Sequence, residues 1–323
     1  KSSTIRRIEA DLKRYYLNDP IIDIPLKDMT RHQITAWLNH KIIHDGVTNR
    51  KNFFNLITIF KNVFAYCYGE ELIEQNTFSK ATYRKELLAD YAKPADETQV
   101  FTKQEQEAII AMAYQRFYEH ERHTSYLGIP LLFQTGLRIG ELVVLESTDY
   151  DKENRILHIS KSETRTYSRE EDGTIIYNGA EVGDPKKQAS VRDIPLTNEA
   201  CGIIELIMET NRKNGQEDGN FLFVFNNRRI KGNAVLKRLY ALCDEKDILR
   251  RSTHKIRKTT LSTLLDVCMK EDISDISAIR LLAGHVDEST LMKNYIFSTR
   301  KDELPDLLTK ALSSNAWKHL ETS

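Results

Sequence analysis

Apolar residues recur at three- and four-residue spacing along most of residues 1–90, which predicts a bundle of helices. The clearest stripe lies in the segment RKNFFNLITIFKNVFAYCYGEELI and comprises Phe53, Leu56, Ile57, Phe60, Val63 and Phe64. A stripe of this kind buries against other helices, so it indicates a bundle core and not a ligand site. The polar segment YAKPADETQV interrupts the pattern, and its proline and charges are typical of a link between domains.

Beyond this link, helical spacing returns, and the first helix begins at a capping box formed by Thr102 and Glu105. Residues 146–196 instead alternate apolar and polar positions around DKEN and EDG turns, which predicts an antiparallel sheet of three or more strands. The stretch 161–184 is long for a tight hairpin, so we expect extra strands or a protruding loop there. The chain is therefore predicted to be an α-rich α+β protein, with a helical domain at 1–93, a linker at 94–100 and a mainly helical domain at 101–323.

The composition narrows the class of protein. With 323 residues, 40% of them hydrophobic and 29% charged, the chain can bury two cores. No apolar run is long enough to cross a membrane, so we expect a cytoplasmic protein without a membrane partner. The 4 cysteines are scattered and predict buried free thiols, and neither they nor the 9 histidines show a metal-ligand spacing, so we expect no metal. The chain starts without Met inside a helical pattern, which suggests a missing upstream piece.

The charge is zero overall but unevenly distributed. Residues 228–258 contain 11 basic and 3 acidic residues, and such a patch is typical of phosphate binding, although a solvated helical surface is the alternative. We expect DNA contacts from this patch at Arg228, Arg229, Lys231, Lys237, Arg238, Arg250, Arg251, Lys255 and Lys258. In the first domain, the basic residues Arg31, Lys41, Arg50, Lys51 and Lys61 lie around the apolar stripe and could face DNA, with Arg50 and Lys51 as the expected contacts.

Five residues in the second domain suggest a chemistry. They are Arg138 in TGLRIGEL, His254 and Arg257 in HKIR, His285 in LLAGH, and Tyr295. Attack by a tyrosine hydroxyl on a phosphodiester leaves charge on two non-bridging oxygens, which guanidinium forks match better than ammonium groups do. Each residue alone is weak evidence, since a lone tyrosine usually packs in a core and an HxxR pair is usually a surface ion pair. Their joint order favours phosphate chemistry without a metal ion.

The motifs TGLRIGEL, HKIRKT and LLAGH, followed by a tyrosine, resemble the tyrosine recombinases, the phage (lambda-type) integrase family. The segment DPKKQASVRDIPL is similar to the lysine-bearing hairpin of that family. The long 161–184 hairpin and the TIRRIEADL start look most like integrases of conjugative transposons. The resemblance implies a SAM-like core-binding domain followed by the DNA breaking–rejoining fold, with an arm-binding domain upstream.

The resemblance also implies a role for each of the five residues. Tyr295 attacks the scissile phosphate and becomes joined to the 3′-phosphate. Arg138 and Arg257 clamp the non-bridging oxygens, and His285 donates a hydrogen bond to the same phosphate. His254 handles the proton of the tyrosine. No cofactor is implied.

Two further assignments keep an alternative. Lys186 and Lys187 are adjacent and would point to opposite faces of a strand, and the preceding proline favours Lys186 as the acid that protonates the leaving 5′-oxygen. Glu141 lies one helical turn from Arg138 and is expected either to orient it or to be a plain surface carboxylate.

As a member of this family, the protein would be a site-specific recombinase of a mobile element that integrates DNA through a Holliday junction, without metal or ATP. Its partners would be double-stranded DNA, other copies in a tetramer that exchange the helix at 303–323, and an accessory excision factor, in a nucleoid-associated location. The alternative for that helix is packing on its own domain. The competing functions are a type IB topoisomerase-like enzyme and a catalytically weak DNA-binding regulator.

Overall fold

The structure is a computed structural model that describes residues 2–89, 95–120, 123–170, 174–184, 190–270, 279 and 283–284. The chain divides into two compact units. One comprises Lys1–Lys93 with Arg165–Gly179, and the other comprises Pro94–Thr164 with Ala180–Ser323. The division thus assigns the middle of the 161–184 stretch to the first unit.

The first unit is built on the helices α1 (Ser2–Tyr15), α2 (Arg31–Ile43) and α3 (Arg50–Gly69). Thr30 and Gln33 form a capping box at the start of α2, and the Asn49 side chain caps α3. The apolar stripe of α3 is buried as predicted, apart from Val63, which is 38% exposed. The predicted helical bundle is therefore present, with aromatic rings at its centre.

Lys41 does not face DNA as expected. Its residue surface is buried, and its ammonium group lies 2.6 Å from the carboxylates of both Asp19 and Asp45. A lysine withdrawn from water needs such counter-charges, because an unpaired buried ammonium is costly. Lys41 therefore ties the end of α2 to the segment that precedes it, and the interpretation of this residue as a DNA contact was wrong.

The second unit contains the helices α4 (Lys103–Glu119), α5 (Gly128–Thr135), α6 (Ile139–Leu142), α7 (Asn198–Asn214), α8 (Gly232–Glu245) and α9 (Thr253–Lys270). The predicted capping box of Thr102 and Glu105 is confirmed at the start of α4. The short helix α5 is the centre of the core, because nearly all of its residues are buried. It packs against α7 and α9, and α9 carries His254 and Arg257.

The strands form two sheets. β1 (Tyr150–Asp151), β2 (Ile156–Ile159) and β5 (Arg192–Pro195) make an antiparallel sheet in the order β1-β2-β5, with Leu157 opposite Ile194. β3 (Ser162–Arg169) and β4 (Ile175–Gly183) pair as a separate hairpin, which confirms the extra strands expected at 161–184. Near the end of this hairpin, in the first unit, Arg6 donates a 3.0 Å hydrogen bond to the Tyr167 hydroxyl.

All 4 cysteines are free thiols. Cys201 and Cys243 are buried as predicted, whereas Cys67 and Cys268 are only partly buried. Among the described residues, no helix is long and apolar enough to cross a membrane. No group of three or more potential metal ligands occurs in that part of the chain either.

Candidate active site

Arg138 lies in a sharp turn between two helices. α5 ends at Gly136, whose left-handed backbone (φ 61°) suits a glycine, and α6 begins directly after Arg138. The Glu141 carboxylate accepts hydrogen bonds from the backbone N–H of Arg138 at 2.9 Å and from its guanidinium at 2.7 Å. The Arg138 side chain is thereby held in one orientation while 35% of it stays exposed.

Arg257 meets Arg138 from the first turns of α9. Its side chain is buried, and it donates hydrogen bonds to the carbonyl oxygen of Gly136 at 2.6 Å and to that of Ala283. The Arg138 guanidinium also donates to the Ala283 carbonyl, at 3.3 Å. Two guanidinium groups from distant motifs therefore converge on one oxygen, two residues before His285 in the sequence.

Glu141 is a buried carboxylate shared by two arginines. Besides Arg138, it accepts hydrogen bonds from both terminal nitrogens of Arg192, at 3.0 and 3.2 Å. The Arg192 and Glu141 side chains are 0% and 3% exposed, respectively. Burial alone raises the pKa of Glu141, but the hydrogen bonds and charge of Arg192, together with the charge of Arg138, outweigh it and lower the pKa to about 2. Glu141 is therefore ionised and orients Arg138.

The sequence analysis missed Arg192, although its strand carries a signal. In β5, Arg192 and Ile194 are buried while Asp193 and Pro195 are exposed, so Arg192 shares the inward face of the strand. A charged residue on the apolar face of an alternating strand requires a buried counter-charge. That pattern is visible in VRDIPL, but the identity of the partner is not.

His254 lies one helical turn before Arg257 on α9, and it is exposed to solvent. Desolvation by the surrounding protein and the positive charges of Arg257, Lys258, Lys255 and Arg138 lower its pKa to about 4. The imidazole is neutral at neutral pH and can accept a proton.

Four predicted site residues, Lys186, Lys187, His285 and Tyr295, lie outside the described residues, as does the 303–323 segment. Their roles stay predictions. The structure brings Arg138, Arg257, His254 and Glu141 into one region, and it adds Arg192.

Several residues of the basic stretch are bound within the protein. Four of them have partners in the second unit: Arg229 pairs with Glu163 at 2.6 Å, Arg238 bonds His123 at 2.9 Å, Arg250 pairs with Asp244 at 2.5 Å, and Arg251 pairs with Glu105 at 3.0 Å. The Arg251 side chain is 4% exposed, so its main contribution is structural. The Arg250 pair is exposed and screened by water.

Lys255 and Lys258 share one partner. Both ammonium groups donate to the amide oxygen of Gln99, Lys258 at 3.0 Å. Partial burial lowers the pKa of each, and Lys255 adds to the effect on Lys258. The first turns of α9 are thereby fastened to the chain just before α4.

The remaining DNA-contact candidates are exposed. They are Arg228, Lys231 and Lys237 in the second unit and Arg50 and Lys51 at the start of α3. An exposed cation on the outer surface can contact a DNA phosphate at little cost. These five residues are the better candidates for a DNA surface.

Residues 99–301 match the family described as the Phage integrase family. The chain therefore belongs to the phage integrase family, as its motifs predicted. The matched region contains every residue of the site described above.

Individual relatives share only part of their sequence with this chain. The chain is 30% identical over 179 residues to the integrase of a Staphylococcus phage, an alignment that covers 52% of this chain and 46% of that protein. It is 26% identical over 251 residues to the transposase from transposon Tn916 of Enterococcus faecalis, covering 74% of this chain and 56% of the relative. The chain thus spans about half the length of these curated relatives.

The fold has a counterpart among solved structures. The integrase of transposon Tn1549, solved in complex with a circular intermediate DNA, superimposes with a TM-score of 0.65 and 21% identity, covering 95% of this chain and 94% of that one. The predicted fold, an α-rich catalytic domain preceded by a helical bundle, is therefore confirmed.

Proposed function

We propose that this chain is a site-specific DNA recombinase of a mobile element, which cuts and rejoins DNA through a 3′-phosphotyrosyl bond at Tyr295. The observation that carries the proposal is the convergence of Arg138 and Arg257 on the Ala283 carbonyl oxygen. Two guanidinium groups that meet at one oxygen form the donor arrangement that a non-bridging phosphate oxygen needs. The family membership and the DNA complex of the transposon integrase support the same substrate class.

The chemistry follows from the charges in the site. As Tyr295 attacks, negative charge builds up on the phosphate oxygens, and Arg138 and Arg257 stabilise it; removal of one such preorganised donor typically costs about 10²–10³ in rate. The neutral imidazole of His254 can accept the tyrosine proton during attack and return it in the reverse step. In the proposal, His285 adds a hydrogen bond to the phosphate and Lys186 protonates the leaving 5′-oxygen, with Lys187 as the alternative.

The phosphotyrosyl bond conserves the energy of the phosphodiester. A 5′-hydroxyl from a partner strand can therefore reverse the attack, and exchange needs neither ATP nor a metal ion. Cleavage that survives EDTA is expected, and its loss in the chelator would contradict this part of the proposal. Two sequential exchanges would pass through a Holliday junction.

The proposed partners follow from the same reaction. Double-stranded DNA would bind along the exposed cations Arg228, Lys231 and Lys237, with Arg50 and Lys51 on the first unit. We further propose a tetramer that exchanges the 303–323 helix between subunits, and an accessory excision factor. A nucleoid-associated, cytoplasmic location would follow from this activity.

Joining of two DNA sites separates a recombinase from a topoisomerase-like enzyme. Duplexes selected for tight binding from a random library would be incubated with the full chain, and the products resolved by size. A recombinase yields hybrid duplexes and a four-way intermediate with four protein copies. Relaxation of supercoiled plasmid without hybrid products would instead support the topoisomerase alternative, and binding without any cleavage would support a DNA-binding regulator.

The acid is identified with a substrate whose leaving group needs no proton. A 5′-phosphorothiolate at the scissile bond should restore cleavage to the variant that lacks the acid, because a thiolate leaves unaided. We expect this rescue for Lys186→Ala and normal cleavage for Lys187→Ala. If neither variant is impaired on the ordinary substrate, the hairpin lysine is not the acid.

A further inference from the structure

Arg138, which is expected to bind phosphate, is paired with a carboxylate. The Glu141 carboxylate lies 2.7 Å from the Arg138 guanidinium and is itself 3% exposed. An isolated pair of this kind has no net charge, so the carboxylate would cancel most of the attraction between Arg138 and a DNA phosphate. Burial of the Glu141 carboxylate strengthens this cancellation, because water screens its charge little.

Arg192 supplies the missing positive charge. Its two terminal nitrogens face the two carboxylate oxygens of Glu141 at 3.2 and 3.0 Å, and its side chain is fully buried. With Arg192 included, the cluster has two guanidinium groups and one carboxylate, hence a net charge of one positive unit. Only Arg138 carries that charge towards solvent, since 35% of its side chain is exposed.

Arg192 is also well fixed. Besides Glu141, it donates a 2.9 Å hydrogen bond to the carbonyl oxygen of Ser190, two residues before it in the chain. The planar Arg192 guanidinium is held by the carboxylate and by the backbone, and it therefore fixes the orientation of the Glu141 carboxylate. Those oxygens in turn bind the backbone N–H and the guanidinium of Arg138.

We propose that Arg192 is a positioning residue for DNA cleavage: it neutralises Glu141, so that Glu141 can orient Arg138 without cancelling the charge that Arg138 offers to the phosphate. Arg192 does not touch the substrate in this account and acts through Glu141. The inference rests on the proposed recombinase function, and it assigns a role to an arginine for which the sequence motifs gave none.

If Arg192 acts by neutralising Glu141, removal of both charges should restore cleavage. A purely structural role of Arg192 would give no such recovery. Arg192→Met leaves Glu141 ionised beside Arg138, so we expect single-turnover cleavage to fall about 100-fold, the size of losing one preorganised donor. Glu141→Gln together with Arg192→Met removes both charges, so Arg138 regains its full charge and cleavage should return to within about 10-fold of the wild type. Arg192→Lys keeps the charge and should also stay within about 10-fold, as a conservative rescue.

DNA affinity gives a second readout that does not require cleavage. Loss of one effective phosphate contact in Arg192→Met should lower the slope of log affinity against log salt by about one, and the double variant should restore it. Arg116→Met is the matched control: it removes an arginine of the same unit that pairs with Glu119 and Glu245, far along the sequence from the site motifs, and should leave both readouts unchanged. The Tm of each variant is measured as well, to establish that the variants are folded.

Two results would overturn the inference. One is a double variant that cleaves no faster than Arg192→Met while both remain folded, since Arg192 would then only support the fold. The other is equal salt slopes for the wild type, Arg192→Met and the double variant. If the wild type itself forms no covalent bond with DNA, the proposed function fails, and the affinity series still decides the role of Arg192.

Discussion

Replacement of Glu141 by glutamine tests the energetic importance of the buried network. Glutamine keeps the shape of the side chain and one acceptor oxygen but removes the charge. Arg192, with a side chain that is 0% exposed, would then stay buried without its counter-charge. Arg138 is 35% exposed and can be solvated instead, so the cost arises mainly at Arg192.

Two routes give a similar magnitude. Removal of one partner from a buried ion pair typically costs about 3–5 kcal/mol. The pKa of Glu141 also falls from 4.5 to about 2, and at about 1.4 kcal/mol for each step of one in pKa this corresponds to about 3–4 kcal/mol. A loss of about 3 kcal/mol should lower the Tm of a unit of this size by roughly 6–12 °C.

The stabilisation that ionised Glu141 provides depends on pH, and its pKa defines the direction. Because the pKa of Glu141 is lower in the folded state than the ordinary 4.5, the stabilisation is complete above about pH 4.5 and disappears as the pH falls towards 2. The difference in unfolding free energy between the wild type and Glu141→Gln should therefore be constant from pH 8 to about pH 5 and shrink on further acidification.

The assay is thermal unfolding of the full chain followed by circular dichroism, read for the transition of the unit that contains Glu141. Glu119→Gln is the matched control, since Glu119 also pairs with an arginine but is 39% exposed. An exposed pair is screened by water, so the control should shift Tm far less. Equal Tm values for the two variants would refute the argument that burial makes the Glu141 network stabilising.

Three other outcomes follow from the structure. An NMR titration should give His254 a midpoint near pH 4 in the free protein, moving upwards when a DNA phosphate binds, whereas a midpoint near 6.5 would contradict the cationic surroundings. Gly140→Ala would place a Cβ atom 2.9 Å from the Glu163 carbonyl oxygen and should lower the free energy of unfolding by about 1–3 kcal/mol. In the control Gly202→Ala the new Cβ atom meets nothing within 4 Å, and equal Tm values for the two variants would argue against the close contact at Gly140. Arg228→Gln should lower the salt slope of DNA binding by about one, and an unchanged slope would exclude Arg228 from the DNA surface.

Short-range features of this protein are predictable from the sequence. The capping box of Thr102 and Glu105 and the helix end at Gly136 each depend on residues within four positions of one another. The same holds for the pairing of Arg138 with Glu141, which lie one turn apart. Local geometry alone determines these contacts, so the sequence pattern is sufficient.

Contacts between distant residues are not predictable in this way. Arg192 and Glu141 are 51 positions apart, and alternation in β5 shows only that Arg192 points inward. Charge counting has a related limit: Arg229 and Arg251 fall in the basic stretch, but Glu163 and Glu105 come from other elements and bind them. A count of charges does not show which of them are already paired.

The proposed function depends on a covalent bond between Tyr295 and a DNA phosphate. The most direct measurement uses a nicked duplex from which the fragment carrying the 5′-hydroxyl diffuses away after cleavage, so that the bond cannot be reversed. We expect a denaturation-resistant protein–DNA adduct whose modified tryptic peptide contains Tyr295, and no adduct with Tyr295→Phe. An adduct of equal yield in Tyr295→Phe, or modification at another residue, would contradict the account.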